Sequence, residues 1–240
     1  MCAMQQAHGN WVTGDRFWDR EEDLAMFINL IREGAHILLV AQRRMGKTSL
    51  MKEVATRVAD ELECVFVDFQ NATTPQDAVA ELSVALRPHK SLWLRSREVF
   101  ANVLDRVEEI GNEDLAVTLR AGLTGGNWAS KGDELFTILA ATEKPVLLLL
   151  DEVPILINRI LKGEDYIITP ERRGTAGEFM SWLRKNSLRH QGRVRIAISG
   201  SIGLEPVLRQ ANLSATGNNF VPFELKPWST ETAVGGIQAL

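Results

Sequence analysis

Short apolar runs alternate with helix-forming stretches over most of this chain, beginning near residue 24. The first stretch spaces its large apolar residues as one face of a helix does, at Leu24, Phe27, Ile28 and Ile31. Runs rich in β-branched and other apolar residues predict strands at 37–40, 64–69, 146–150, 194–201 and 219–225. Strands that alternate with helices in this way predict an α/β domain with a mostly parallel sheet covered on both faces.

The helices between these strands differ in how clearly the sequence marks their ends. Residues 74–86 are expected to form a helix with Pro75 at its start, and a further helix is expected near 133–142. The segment 163–177 mixes charged residues with Pro and Gly, so we expect a loop there that leads into a helix carrying Phe179.

The composition bounds the classes of protein that are possible. The chain has 240 residues, of which 45% are hydrophobic, enough for one sizeable core. Its formal net charge of -4 gives no global attraction to nucleic acid. Cys2 and Cys64 lie far apart, and the histidines show no metal-ligand spacing. With no signal sequence at the start and no apolar run near the roughly 20 residues that span a bilayer, we expect a cytoplasmic protein without a membrane partner.

The most informative segment joins the strand at 37–40 to the next helix and reads Ala-Gln-Arg-Arg-Met-Gly-Lys-Thr from Ala41 to Thr48. A strand, a tight turn, Gly-Lys-Thr and a helix make up a phosphate-binding loop, in which backbone N–H groups and the positive helix N-terminus face a triphosphate. Lys47 then supplies a charge to the β- and γ-phosphates, and the Thr48 hydroxyl ligates Mg²⁺. The predicted nucleotide-binding residues are Arg44, Met45, Gly46, Lys47, Thr48 and Ser49.

This motif usually opens with Gly, and Ala41 stands there instead. The extra methyl group is tolerated if Ala41 keeps a negative φ and is harmful if the turn requires a positive one. The alternative interpretation is a chance Gly-Lys-Thr at a helix start. It is weakened because a strand and a helix flank the motif and because a second motif follows.

The second motif is the apolar run 146–150 followed by Asp151 and Glu152. Such a run suits a strand buried on both faces, and carboxylates at its C-terminal end lie where open α/β sheets bind ligands. Asp151 would hold Mg²⁺ directly or through a water, and Glu152 would orient and deprotonate the water that attacks the γ-phosphate. Taken alone, the acidic pair is better explained as a cap of the next helix, but beside Gly46-Lys47-Thr48 the metal interpretation is the stronger one.

The run 194–201 ends in Ser199, Gly200 and Ser201, so its polar tip is expected beside the other strand ends. Either serine could hydrogen-bond the γ-phosphate or the attacking water and lose that bond on hydrolysis. The alternative is that both serines cap the next turn.

Three of these segments together resemble motifs of the archaeal-type P-loop ATPases, a family close to the AAA+ and STAND groups. The three segments are 41–50, 150–154 and 199–203. The origin-recognition ATPases resemble the same family. The resemblance extends from about Gly14 to about Trp228. It implies a three-layer P-loop NTPase of the ASCE type with a parallel sheet in the order 5-1-4-3-2. The ATPase core would then occupy residues 1–228, and 229–240 would begin a truncated, lid-like C-terminal segment.

The resemblance also covers the start of the chain, where 14–21 is similar to the family's adenine-side box. It implies that Phe17, Trp18 and Arg20 lie near the adenine, although Asp19 occupies a position where the box commonly has Gly. For the two aromatic residues we favour a simpler explanation, which is packing beneath the first helix.

Basic residues raise two further possibilities. Arg209 lies near the place where the family carries an activating arginine, but for Arg209, Arg172 and Arg173 a solvated surface charge is the simpler explanation. The run 184–195 is the strongest local basic patch. Basic residues at a helix end also satisfy carbonyl dipoles, and no aromatic or groove-reading motif accompanies the patch.

The resulting hypothesis is an ATPase core with ATP and Mg²⁺ as cofactors, which hydrolyses ATP slowly and acts as a conformational switch or regulator. Its catalytic residues are predicted to be Glu152, Lys47, Ser199 and Ser201. A nucleotide-gated scaffold with negligible hydrolysis is the first alternative, and a P-loop kinase with a mobile basic lid at 171–174 is the second. ATP or ADP is the expected ligand, and a protein or a second copy of the chain is a further candidate partner. DNA is expected only through a missing C-terminal domain.

Overall fold

The computed structural model describes residues 11–14, 17, 20–101 and 112–239. The strands within these ranges are Ile37–Val40 (β1), Glu63–Asp68 (β2), Val146–Asp151 (β3), Val194–Ile198 (β4) and Val221–Glu224 (β5). The helices are Glu21–Arg32 (α1), Lys47–Arg57 (α2), Pro75–Ala85 (α3), Lys90–Val99 (α4), Asn112–Ala121 (α5), Trp128–Ala140 (α6), Val153–Lys162 (α7), Pro170–Arg189 (α8), Leu204–Gln210 (α9) and Thr230–Ala239 (α10), with a 3₁₀ turn at Ser214–Gly217.

The strands form one sheet in the order β2-β3-β4-β1-β5, and all neighbours pair in parallel. Counted from the β5 edge this is the predicted order 5-1-4-3-2, which is confirmed. β3 lies between β2 and β4, and every one of its residues is buried. A strand buried on both faces needs apolar side chains at nearly every position, which explains its continuous run of Leu. Because the strands are parallel, the loops after β1, β3 and β4 meet at one edge of the sheet.

Helices cover both faces of the sheet, so the predicted three-layer architecture is also confirmed. One face packs against α1 and α2, where Phe27, Leu50 and Leu149 belong to the same buried cluster. The other face packs against a larger set of helices, including α3 and α6 to α9, in a cluster that contains Leu148 and Phe179. Successive residues of β3 therefore face opposite layers.

Local sequence sets the start of α3 as predicted. The Thr74 side chain accepts a hydrogen bond from the Asp77 backbone N–H, and Asp77 accepts one in return from the Thr74 backbone N–H. This capping box satisfies donors that the first turn of the helix leaves unpaired, and Pro75 occupies a position where no donor is needed.

α8 begins earlier than the sequence predicts, since the loop expected over 163–177 ends at Thr169. Thr169 caps the helix by accepting a hydrogen bond from the Arg172 N–H (3.3 Å). Gly174 and Gly177 therefore lie inside the helix, although each weakens it by about 1 kcal/mol relative to Ala. The helix is stabilised instead by tertiary packing of its later residues, among them the buried Phe179.

The last helix, α10, occupies most of the segment 229–240, whose assignment as the beginning of a lid stays a prediction. None of the helices within the described ranges combines the length and the apolar character that crossing a membrane requires.

α6 and α8 meet through aromatic rings that surround Trp182. The centroid of its ring lies 5.5 Å from those of Trp128 and Phe136, and its indole N–H donates to Asp133 Oδ1 (2.9 Å). Gly132 of α6 faces this ring, since a Cβ at that position would lie 2.4 Å from Trp182 Cζ2. The absence of a side chain at Gly132 is what allows the two helices to approach so closely.

Replacing Gly132 with Ala should destabilise the fold, whereas replacing Gly174, where nothing lies within 4 Å of the added Cβ, should not. Both changes favour the helix by about 1 kcal/mol, but only the first overpacks an interior, which costs about 1 to 3 kcal/mol. Urea unfolding should give a lower free energy of unfolding for Gly132→Ala than for Gly174→Ala. Equal values would show that Trp182 does not constrain this position.

Candidate active site

The loop 41–46 joins β1 to α2 and is compatible with its unusual first residue. Gly46 is the N-cap of α2 and adopts φ 85°, a left-handed conformation that favours Gly. Arg44 also has a positive φ, of 63°, whereas Ala41 does not. An Ala with negative φ is unstrained, so the methyl group in place of the usual Gly does not disturb the backbone of the loop.

The Lys47 ammonium group lies inside the curve of this loop. Nζ donates to the carbonyl oxygens of Ala41 (3.1 Å) and Gln42 (2.9 Å), and the residue is only 8% exposed. Burial lowers the pKa of Lys47, and the negative charges of Glu152 and Asp151 oppose that shift. An ammonium group held by backbone carbonyls can exchange those weak partners for the charged oxygens of a phosphate.

Asp151, the last residue of β3, joins three elements. Its Oδ2 accepts a hydrogen bond from Thr48 Oγ1 (2.8 Å) at the start of α2. Its Oδ1 accepts from the Glu152 N–H (3.0 Å) and from the hydroxyl of Ser199, which follows β4 and is fully buried. Asp151 is itself 6% exposed, and a carboxylate so deeply buried requires such partners.

Thr48 and Asp151 also have the chemistry of a magnesium site. Their oxygen atoms lie side by side, and Mg²⁺ prefers hard oxygen ligands supplied by one or two side chains and completed by water and phosphate. Among the described residues there is no group of three or more His, Cys, Asp or Glu side chains that could bind a metal without a second ligand molecule. The residues therefore fit an ion that arrives together with a nucleotide.

Glu152 is held by the loop that follows β4. Its Oε2 accepts hydrogen bonds from the Ser201 N–H (2.8 Å) and the Ser201 hydroxyl (3.0 Å), while Oε1 makes no hydrogen bond with the described residues. The backbone of Glu152 adopts φ 60°, an uncommon conformation for a residue with a side chain. Strain of this kind persists only where the surrounding structure enforces it, and it is concentrated at functional sites.

Gly200 sets the distance between the two loops. A Cβ at Gly200 would lie 2.5 Å from Pro154 Cδ, so a larger residue does not fit. Pro154 stands in the first turn of α7, directly after Glu152 and Val153. The close approach at Gly200 is therefore what brings Ser201 against Glu152.

The two serines have neighbours other than the expected ones. The sequence predicts that Ser199 or Ser201 contacts the γ-phosphate or the attacking water, or that both cap the next turn. In the structure Ser199 binds Asp151 and Ser201 binds Glu152, so each positions an acid. The next helix, α9, begins after Gly203 without a side-chain cap. Direct contact of either serine with phosphate stays a prediction.

Two further charged residues lie at this edge, and the sequence motifs do not include them. Asp68 ends β2 in register with Asp151. Burial raises the pKa of Asp68, and the charge of Asp151 adds to that shift. Lys52 lies one turn after Thr48 in α2, burial lowers its pKa, and its ammonium group stands 4.2 Å from the ring centroid of Trp11. Two sequence patterns could have identified these residues. Lys52 lies four residues after Thr48 in the same helix, and Asp68 is an acid at the end of a strand.

The described part of the N-terminal segment lies along α2. The Val12 N–H donates to Ser49 Oγ (3.0 Å), and the Gly14 N–H donates to Glu53 Oε2 (2.8 Å). Glu53 is 1% exposed and also pairs with Arg57. The hydroxyl of Ser49 is thus engaged with the chain itself, so its predicted contribution to nucleotide binding rests on its backbone N–H.

The predicted adenine contacts are described only in part. Phe17 packs, partly buried, against the core cluster of α1 and α2, as the packing explanation requires. Arg20 donates to the carbonyl oxygen of Lys226 (2.7 Å). Trp18 and Asp19 lie outside the described residues. Contact of Phe17 and Arg20 with adenine stays a prediction.

Most basic residues singled out from the sequence bind partners within the protein. Arg209 pairs with Glu205 of α9, and Arg172 pairs with Asp165. In the run 184–195, Arg184, Lys185 and Arg193 donate to Ala215 O, to Asp133 and to Ala140 O. This favours an internal role for the run, and a DNA partner stays a prediction that depends on a further domain.

Comparison with known proteins places this geometry in context. No family model matches the chain, and no curated protein matches its sequence. Among solved structures, the Walker-type ATPase Paby2304 of Pyrococcus abyssi is similar with a TM-score of 0.58 and 15% identity, over 95% of this chain and 59% of that one. The Orc1 protein of Aeropyrum pernix, solved in complex with DNA, is similar with a TM-score of 0.52 and 13% identity, over 92% of this chain and 49% of that one.

The chain thus spans 59% and 49% of the lengths of these two proteins. At such low identity the likeness concerns the fold, and it agrees with the parallel five-stranded sheet described above. The chain therefore has the α/β fold of the archaeal Walker-type and origin-recognition ATPases that its motifs resemble.

Proposed function

We propose that this chain binds ATP at the loop before α2 and hydrolyses it slowly, and that hydrolysis changes the arrangement of the loops around the site. The observation that carries the proposal is the convergence of Lys47, Thr48, Asp151 and Glu152 at one edge of the sheet. Thr48 and Asp151 are in direct contact there although they lie 103 residues apart in sequence. The likeness in fold to a protein named as a Walker-type ATPase supports it.

Binding uses the backbone as well as side chains. The amides from Arg44 to Ser49 and the N-terminus of α2 attract an anion, because unpaired N–H groups and the helix dipole both carry positive charge. Lys47 adds a full charge. Thr48 and Asp151 would hold Mg²⁺, which when bound would neutralise negative charge on the phosphates.

Hydrolysis requires a base beside the terminal phosphate, and we assign this role to Glu152. It accepts a proton from water through Oε1 while Ser201 holds Oε2. The oxygen of that water forms a bond to the γ-phosphorus as the bond from that phosphorus to the bridging oxygen breaks, and ADP leaves with the electron pair. Ser199 keeps Asp151 in place throughout.

The switch follows from the connections of these groups. Lys47 changes partners between loop carbonyls and phosphate, and Glu152 is tied to the loop after β4 through Ser201. Loss of the γ-phosphate would alter the charge around Lys47 and Glu152 together. Loss of the γ-phosphate would then change the preferred conformations of both loops together, which is how a nucleotide switch operates.

A nucleotide-gated scaffold with negligible hydrolysis is a second candidate. Arg209 and Arg172, two of the arginines considered for an activating role, are engaged with acids of the same chain. In a single-turnover assay, bound ATP that remains intact over hours would favour the scaffold. The kinase alternative, which requires a mobile basic lid at 171–174, is less well supported, because these residues are helical and Arg172 donates to the Lys162 carbonyl oxygen.

Lys47→Ala should weaken ATP binding about tenfold to a hundredfold, because a hydrogen bond to a charged group contributes about 1.5 to 3 kcal/mol. Glu152→Gln should leave binding nearly unchanged and slow turnover by about a hundredfold or more, the usual contribution of a general base. Calorimetry measures the first quantity and phosphate release the second. Lys90→Ala, at an exposed position in α4, is the control. Equal hydrolysis rates in the two site variants would contradict the assigned roles.

Thr48→Val should reduce the dependence of ATP affinity on Mg²⁺, because Val keeps the shape of Thr but supplies no oxygen ligand, while Asp151 remains. Affinity is measured with Mg²⁺ and again with a chelator present. Thr56→Val is a matched control, since Thr56 lies in the same helix and is exposed. A Mg²⁺ effect as large in Thr48→Val as in the unchanged protein would refute Thr48 as a metal ligand.

Ser201→Ala should lower the turnover rate about threefold to tenfold and leave the dissociation constant for ATP unchanged, because it removes one hydrogen bond to Glu152, a contribution of about 0.5 to 1.5 kcal/mol. The Ser201 backbone N–H remains and preserves part of the contact. The exposed Ser181→Ala is the control. If ATP affinity falls instead of turnover, Ser201 binds phosphate and does not position Glu152.

A further inference from the structure

A groove of about 1100 Å³ lies beside the proposed ATP site and has no part in the chemistry described above. Its walls are the residues that follow β2, the outer face of α7 and the loop between α7 and α8. It reaches the phosphate loop at Arg43 and the segment after β4 at Ile202. The groove is thus continuous with the edge of the sheet where the strand ends meet.

The loop 163–169, which forms one wall, is built around Arg172. The Arg172 guanidinium donates to the carbonyl oxygens of Lys162 (3.0 Å) and Ile167 (2.7 Å) and to the Asp165 carboxylate. Gly163 has φ 56°, and a Cβ there would lie 2.5 Å from the guanidinium. One partly buried guanidinium therefore holds the loop at several points along its course.

This construction exposes two large apolar residues. Tyr166 is 80% exposed and Ile167 59% exposed, and Tyr166 adopts φ 60°. A residue with a side chain is uncommon in that conformation, so the surrounding structure enforces it. An aromatic and an aliphatic side chain held outward beside a groove form the apolar part of a docking site.

The charged part of the site is positive. Arg43 and Lys162 both line the groove, and neither side chain makes a hydrogen bond or an ion pair with the described residues. Arg159 also lines it, but its guanidinium is occupied by the carbonyl oxygens of Gln70 and Ala72. Two acids are among the described residues that line the groove. Asp165 is paired with Arg172, so Glu164 is the one whose negative charge is not compensated by an ion pair. An occupant with negative charge is therefore favoured, even though the chain as a whole carries -4.

We propose that this groove binds an acidic peptide segment of a partner protein. Carboxylates of the peptide face Arg43 and Lys162, and an apolar side chain packs against Tyr166. Thr73, Gln76 and Asn158 line the groove between these points and supply hydrogen-bonding groups for a peptide backbone. This combination of one apolar anchor and a charged rim is typical of peptide recognition.

A peptide fits the groove better than a nucleic acid does. Single-stranded nucleic acid needs several stacking rings along a continuous basic track, whereas Tyr166 supplies the single aromatic ring among the described residues that line the groove. The inference does not rest on ATP hydrolysis, since the groove can bind a peptide whether or not the chain turns over ATP.

The test uses the full chain and a displayed library of random twelve-residue peptides as the probe. The expected result is enrichment of peptides with several Asp or Glu residues and one aromatic or large aliphatic residue. A synthetic peptide of the enriched sequence, labelled with a fluorophore, then gives a dissociation constant by anisotropy. Enrichment without acidic residues, or no enrichment, would overturn the proposal.

Single substitutions test whether the peptide binds in this groove. Lys162→Glu and Tyr166→Ala should each weaken the peptide at least tenfold, and Lys162→Gln should weaken it less than Lys162→Glu because it removes the charge without reversing it. Lys90→Glu, exposed on α4 outside the groove, should bind normally, and thermal unfolding confirms that each variant is folded. Unchanged affinity in Lys162→Glu would overturn the proposal. Displacement of the peptide by a twenty-nucleotide oligothymidine would also overturn it and assign the groove to nucleic acid.

Discussion

The site depends on one contact, the hydrogen bond between Thr48 at the start of α2 and Asp151 at the end of β3. It exists because parallel strands end at the same edge of the sheet, so the loop after β1 and the acid after β3 are brought together by the fold. Asp151 is nearly inaccessible to water and would be unstable there without donors. Thr48, Ser199 and the Glu152 N–H supply them. One of these donors, the Thr48 hydroxyl, is also a proposed ligand of Mg²⁺, together with the Asp151 carboxylate itself.

In the proposed function, the charge around Lys47 would give this arrangement its response to a nucleotide. The ammonium group is buried, which by itself favours loss of its proton, and two nearby carboxylates hold the charge in place. Its direct partners are only neutral carbonyl oxygens. A triphosphate and its metal ion would bring negative and positive charge close to Lys47 and the two carboxylates at the same time. In the proposed switch, this binding energy would move the loops that carry these groups, which a site already neutralised by tight ion pairs would not allow.

Two of the residues that combine a side chain with a left-handed backbone, Glu152 and Tyr166, are held by different neighbours. Glu152 adopts a left-handed conformation between a buried strand and α7, and Ser201 fixes its side chain. Tyr166 adopts the same conformation in a loop that is held by Arg172. In both cases rigid neighbours hold a functional side chain in a position that the local sequence would not choose. The first lies at the proposed catalytic centre and the second at the rim of the groove beside it.

The sequence by itself determined those elements that depend on neighbouring residues or on a periodic pattern of apolar residues. The uninterrupted apolar run before Asp151 predicts a strand buried on both faces, and Gly46-Lys47-Thr48 between a strand and a helix predicts a phosphate loop. The strand order came from the resemblance of the motifs to known ATPases. The early start of α8 was missed because Gly174 and Gly177 oppose a helix locally, and the packing of its later residues outweighs them.

Only the tertiary structure decided which side chains meet. The register of β3 and β4 sets Leu150 beside Ile198, so that Ser199 reaches Asp151 while Ser201, beyond the turn at Gly200, reaches Glu152. No local pattern distinguishes these two serines. The groove was likewise hidden, because Arg43, Lys162 and Tyr166 are far apart in sequence or lie in a segment without periodicity. Contacts between distant residues depend on the packing of whole elements, and the spacing of residues along the chain carries no record of it.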